Sequence, residues 1–115
     1  MEMSPAYAAE TAEALSQKGF SVMREPLPED TDGVLVYEGD RYTFEAEGER
    51  LVLEVLTYVS DGEHAYFLEI ADFHGLRTFS FPLDSWKHRD NRIEFKFVAD
   101  PRTAMGLAFT VPLPR

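Results

Sequence analysis

The chain has 115 residues, enough for one domain and too few to divide between two separate cores. Hydrophobic residues make up 44%, with nine Phe and five Tyr, which excludes a disordered composition; the absence of Cys excludes disulfides, thiolate nucleophiles and Cys-ligated zinc. A net charge of −10 repels phosphate backbones and excludes broad nucleic-acid binding.

The charge is unevenly spread. Residues 1–63 hold 15 acidic and four basic side chains, whereas residues 64–115 hold six acidic and seven basic. No apolar run approaches the roughly 20 residues of a membrane helix, and the first residues lack the basic and apolar parts of a signal peptide. A cytoplasmic location without membrane attachment is the default expectation.

Ser4-Pro5 reads as a helix start, a capping hydroxyl before a residue with preset φ, and Lys18-Gly19 as the matching stop. Between them Tyr7, Ala8, Thr11, Ala12 and Leu15 form one apolar stripe at helical spacing, so a helix is predicted over 4–18 with Leu15 as its main anchor. From Phe20 the period changes to two. Strands are predicted over 20–25, 34–38, 41–47, 50–60, 63–73, 76–83, 92–98 and 106–112, with Pro26, Pro28, Glu29, Asp30 and Asp32 in a rigid acidic loop.

Four tight turns punctuate this run: Gly39-Asp40, Gly48-Glu49, Asp61-Gly62 and His74-Gly75. Each fixes a register. The first pairs Tyr37 with Tyr42 and Leu35 with Phe44. The second pairs Phe44 with Leu53, Tyr42 with Val55 and Ala46 with Leu51. The third pairs Val55 with Leu68 and Leu53 with Ile70. The fourth pairs Ile70 with Phe79, Leu68 with Phe81, and Asp72 with Arg77. All four place the same residues on one apolar face, as a buried sheet face demands. Further on, Asp90-Asn91 either turns tightly, setting Trp86 opposite Phe95 and His88 opposite Ile93, or 84–91 is an irregular loop. Asp100-Pro101 opens a longer connection to the last strand.

The opposite face carries the one pointed feature. These registers align Val36, Thr43, Glu54, Glu69 and Ser80 in a row, with Glu54 directly opposed to Glu69 at a Cβ separation of roughly 4.5–5.5 Å. Around the pair lie Val34, Val52, Leu56, Ala65, Phe67, Ala71 and Pro82, an apolar floor where a solvent face would be polar. Two carboxylates on such a floor raise at least one pKa unless a cation intervenes. Three uses are open: a solvated pair with Arg41, diagonal to Glu54, as countercharge; a binding face on which the glutamates meet a partner's Lys or Arg; or an acid/base pair, which needs a concave site.

Other candidates are weaker. Asp72 and His74 are spaced for shared metal ligation, about 6.6 Å apart on one strand face, but His74 doubles as a turn residue and Asp72 already faces Arg77. Lys87, His88, Arg89, Arg92 and Lys96 form either an anion site or a charged hairpin end that keeps an edge soluble. Trp86 beside them either stacks on a ligand ring or packs against Phe95. No Ser or Thr lies in a nucleophile-elbow or phosphate-loop setting.

The fold expected is α+β, an N-terminal helix on an antiparallel meander of six to eight strands. The function expected is a small binding protein without cofactor, of inhibitor, immunity or chaperone type. Its contacts would be Leu56, Phe67, Glu54, Glu69, Thr43 and Ser80, and its occupant a basic protein or a second copy. The competing expectation is a small-ligand domain or enzyme, with a pocket between helix and sheet and the Glu54/Glu69 carboxylates at work.

Overall fold

The structure is a computed structural model that describes residues 3–27, 37–46, 48–71, 78–98 and 108–113. Helix α1 (Pro5–Gln17) begins as its sequence dictates: the Ser4 hydroxyl accepts from the Tyr7 N–H at 3.0 Å, and Pro5 occupies the first turn. It ends in a Schellman motif. Gly19 takes φ +100°, its N–H bonds the Ser16 carbonyl, and the Phe20 N–H returns to the Leu15 carbonyl at 3.0 Å. Tyr7, Ala8, Thr11, Ala12 and Leu15 are all buried, as the stripe requires.

Seven strands follow among the described residues: β1 (Ser21–Pro26), β2 (Tyr37–Ala46), β3 (Glu49–Tyr58), β4 (His64–Ala71), β5 (Thr78–His88), β6 (Arg92–Phe97) and β7 (Ala108–Pro112). They pair antiparallel in chain order, so the expected α+β meander with a packed helix is the fold. Among the described residues no helix is long and apolar enough to cross a membrane.

One expected turn does not exist. Gly39 and Asp40 lie inside the continuous strand β2, with Gly39 opposite Leu56 and Tyr37 opposite Tyr58, so Tyr37 and Tyr42 share a strand instead of facing each other. The glycine serves close approach: a Cβ at position 39 would overlap the Val55 carbonyl oxygen. β1, not a 34–38 strand, is the neighbour of β2, and it sets Val22 opposite Phe44. Leu35 and its pairing lie outside the described residues, as do the acidic loop from Pro28 onward, Asp72 with Arg77, the His74-Gly75 dipeptide and Asp100-Pro101.

Two registers differ from expectation by two residues. The β2–β3 ladder ends at Ala46 opposite Glu49, so Gly48, at φ +84°, is the second loop residue and not the first; Tyr42 meets Leu53 and Phe44 meets Leu51. The β3–β4 loop has four residues, not two. The Tyr58 N–H bonds the Glu63 carbonyl at 2.9 Å, and the Gly62 N–H bonds the Tyr58 carbonyl at 2.8 Å. The Asp61 carboxylate accepts from the Glu63 N–H, and Leu53 therefore meets Leu68 while Val55 meets Tyr66. A slip of two preserves which face each side chain occupies, so the apolar face survives both differences.

The remaining registers match. Ile70 pairs with Phe79 and Leu68 with Phe81. Trp86 pairs with Phe95 and His88 with Ile93, and the Arg89 N–H bonds the Arg92 carbonyl at 2.7 Å across the Asp90-Asn91 turn. Segment 84–91 is thus strand and tight turn. A bulge between Leu83 and Ser85 shifts parity within β5, so that Leu83 and Trp86 both face inward while Asp84 is exposed.

The core lies between α1 and the inner sheet face, built on Phe44, Leu53, Leu68, Ile93 and Phe95 with Leu15 from the helix. The helix touches β1 and β2 on one flank and β5 on the other, so the sheet curls over it.

Candidate functional site

On the face turned away from the helix, the pairings lay down two parallel rows. One runs Glu25, Arg41, Glu54, Phe67, Pro82; the next runs Met23, Thr43, Val52, Glu69, Ser80. Glu54 and Glu69 are therefore diagonal neighbours in adjacent rows and not a directly opposed pair. The four-residue β3–β4 loop causes this, because it moves β4 two residues along β3.

Arg41 faces Glu54 directly and lies between two carboxylates, 3.6 Å from Glu54 and 3.7 Å from Glu25. Its Nε is buried and makes no hydrogen bond within the described structure. The cation that the sequence placed diagonal to Glu54 is thus its immediate partner, and the basis for two mutually repelling carboxylates disappears. What remains is a triad with one surplus negative charge beside an apolar row. Leu56, Ala65, Phe67 and Glu69 are half-buried, while Met23, Ser80 and Pro82 are exposed. Thr43 and Val52 are only 3% and 5% exposed, although they face away from the helix. The six residues expected as contacts, Leu56, Phe67, Glu54, Glu69, Thr43 and Ser80, all fall on this one face. Val34, Val36 and Arg102 lie outside the described residues.

The inner face holds a network that sequence reasoning missed. Thr11 donates its hydroxyl proton to the Tyr7 carbonyl at 2.9 Å and accepts from the Trp86 indole N–H at 2.9 Å. Its second lone pair faces His88 Nδ1 at 3.1 Å, which places a proton on that nitrogen. Tyr7 stacks on both Trp86 and His88, with ring centroids 5.2 and 5.3 Å apart. Trp86, 2% exposed, is committed to the core and not to a ligand. Tyr66 packs against it with its hydroxyl buried and without a hydrogen-bond partner among the described residues, and burial pushes the phenol above its ordinary value. The signal available in sequence was parity: Trp86 and His88 share a face with Phe95 and meet the single polar residue of the helix stripe.

The basic hairpin is partly neutralised. Arg92 hydrogen-bonds Glu94 at 2.7 Å and Arg89 approaches it at 3.4 Å; the Arg92 hydrogen bond, then the two cationic charges, hold that carboxyl below its ordinary value. His64 hydrogen-bonds Thr57 at 2.8 Å on the exposed end of β4. Asp72 and His74 lie outside the described residues, and no group of three or more potential metal ligands occurs among those described.

Two concavities are lined by described residues. A cleft of about 780 Å3 lies at the end of α1, between Gln17, Lys18 and Gly19, the Asp90-Asn91 turn, and Pro112 with Leu113. A groove of about 270 Å3 runs between the helix (Ala9, Glu13, Ser16) and β1–β2 (Val22, Arg24, Tyr42). Neither contains Glu54 or Glu69, which are on the other side of the sheet. Among the described residues, the helix–sheet groove and that carboxylate pair do not meet in one site.

No protein-family model matches the chain, and neither a curated protein nor a solved structure matches it significantly.

Proposed function

We propose that this domain is a non-catalytic binding protein that receives a basic surface of another protein on the outer face of β1–β5, in the manner of an inhibitor or a chaperone. The observation that carries this reading is the row Glu25–Arg41–Glu54–Phe67–Pro82. It joins a surplus carboxylate to adjoining apolar side chains, which is the chemistry that accepts a Lys or Arg head together with its apolar stem. The surrounding charge points the same way. The arginines of this half are already paired, Arg24 with Asp40, Arg41 with Glu25 and Glu54, and Arg50 with Glu45. Glu10, Glu13, Glu38, Asp61 and Glu63 add further negative charge to this half of the chain.

A chain of −10 also disfavours a second copy as the occupant, because like fields oppose approach. An acid/base enzyme is disfavoured by the Arg41 countercharge and by the separation of the glutamates from both concavities.

The test is affinity capture from the native cell with wild-type protein and with Phe67→Lys. A basic protein captured by the wild type should be lost by about thirtyfold from the variant, as expected at a central apolar contact. The melting behaviour of the variant should stay near that of the wild type. Equal capture by both proteins defeats the reading.

A further inference from the structure

We infer that the open edge of β1 is a strand-addition site for an extended, lysine- or arginine-bearing segment of the protein partner. This inference rests on the protein-binding reading above.

Among the described residues β1 pairs on one side only, with β2, and begins the sheet order. The Leu27 N–H bonds the Gly39 carbonyl at 3.0 Å, which fixes the alternation of the ladder. Glu25, Met23 and Ser21 then turn their backbone groups toward β2, whereas Val22, Arg24 and Pro26 turn theirs to the open side. Pro26 fits this assignment, because its missing N–H falls where no ladder partner exists. With respect to the described residues, Val22 and Arg24 are left presenting N–H and C=O to an incoming strand. Peptide recognition by sheet edges uses such groups for affinity and alternate side-chain sites for specificity.

Both side-chain sites exist here. Residues of an added strand opposite Val22 and Arg24 would project on the helix side, over the groove of about 270 Å3 whose helix wall is Ala9, Ala12 and Ser16 and whose rim carries Glu13. Alternate residues would project on the outer side beside Met23, 54% exposed, and the exposed Glu25. Each side therefore offers an apolar contact and a carboxylate. The local cations do not compete, since Arg24 is held by Asp40 at 2.7 Å and Arg41 lies between Glu25 and Glu54. Helix α1 with β1 and β2 carries Glu10, Glu13, Glu25, Glu38, Asp40 and Glu45 against Arg24 and Arg41, so a cationic segment is the complement. A second copy would bring a strand of no net charge, Arg24 against Glu25, within the same acidic surroundings.

Photocross-linking tests this in the full chain. Met23→Cys supplies a single thiol, because the chain has none, and a benzophenone maleimide placed there reports what lies along the edge. The expected product joins position 23 to a lysine- or arginine-rich extended segment of one partner. Val22→Pro, which removes an outward N–H, should cut the yield about tenfold. Glu25→Lys should do the same and keeps the test valid if the proline variant folds poorly. A cross-link to a second copy, to an acidic or helical segment, or one indifferent to both variants overturns the inference. No cross-link at position 23, while capture still depends on Phe67, overturns the edge and leaves the outer face standing. Loss of both removes the binding reading as well.

Discussion

At the scale of single residues, the inner face sets up a test of how polar groups are tolerated in this core. Thr11 accepts from Trp86 and His88 and donates to Tyr7, whereas the Tyr66 hydroxyl next to them is buried and has no partner among the described residues. Removing an unsatisfied group costs little, so Tyr66→Phe should leave stability within about 1 kcal/mol of the wild type or raise it. Its alkaline behaviour follows from linkage. The Tyr66 pKa is raised by burial, so the folded chain keeps the phenol neutral where the unfolded chain ionises. The corresponding stability is present below about pH 10 and is lost as pH rises through the folded-state value. Tyr42 is raised by burial in the same sense, partly opposed by Arg24. Denaturant titrations from pH 8 to 11 should therefore show a shallower alkaline loss in Tyr66→Phe than in the wild type. Parallel curves would place the phenol in solvent.

At the scale of elements, position 39 separates what a sequence announces from what it conceals. Gly39-Asp40 has the composition of a hairpin turn, yet the glycine lies mid-strand because the Val55 carbonyl occupies the space of a Cβ. Gly39→Ala should cost about 1–3 kcal/mol in chemical denaturation, the range of an overpacked site, and a loss below half of that would contradict the close approach. The helix was legible to within a residue at each end, because cap, stripe and stop each rest on local chemistry. The β4–β5 and β5–β6 registers were legible for the same reason. Loop length was not. Val59-Ser60-Asp61-Gly62 closes with a backbone bond from Gly62 to Tyr58, and nothing in the tetrapeptide distinguishes it from a two-residue turn flanked by strand. Alternation fixes the face of each side chain but not its register to within two, which is why Glu54 kept its face and exchanged its neighbour. The place of β1 was hidden because a Gly39-Asp40 turn sets 34–38 beside 41–47, where β1 lies instead.

At the scale of the whole molecule, the sheet separates two environments. Its inner face is closed by α1 and an aromatic network, and its outer face brings Leu56 and Phe67 together with the Glu25–Arg41–Glu54 triad. Composition alone forecast an acidic partner surface. The sheet register gathers Glu25, Glu54, Leu56 and Phe67 on one face, and it sets Arg41 rather than a second glutamate opposite Glu54. The proposed complex thus combines a desolvated apolar centre with a screened acidic surround. These two contributions respond differently to salt and to mutation. The most direct measurement is the dissociation constant of the captured partner for wild-type protein, Glu54→Gln and Phe67→Lys, each at low and high ionic strength. Wild-type binding should weaken at least about tenfold between 0.05 and 0.5 M salt, as screening removes the charge complementarity. Glu54→Gln should be weaker chiefly at low salt, and Phe67→Lys weaker by about thirtyfold at both. A salt-independent constant, or a Phe67→Lys protein that binds like the wild type, would contradict it.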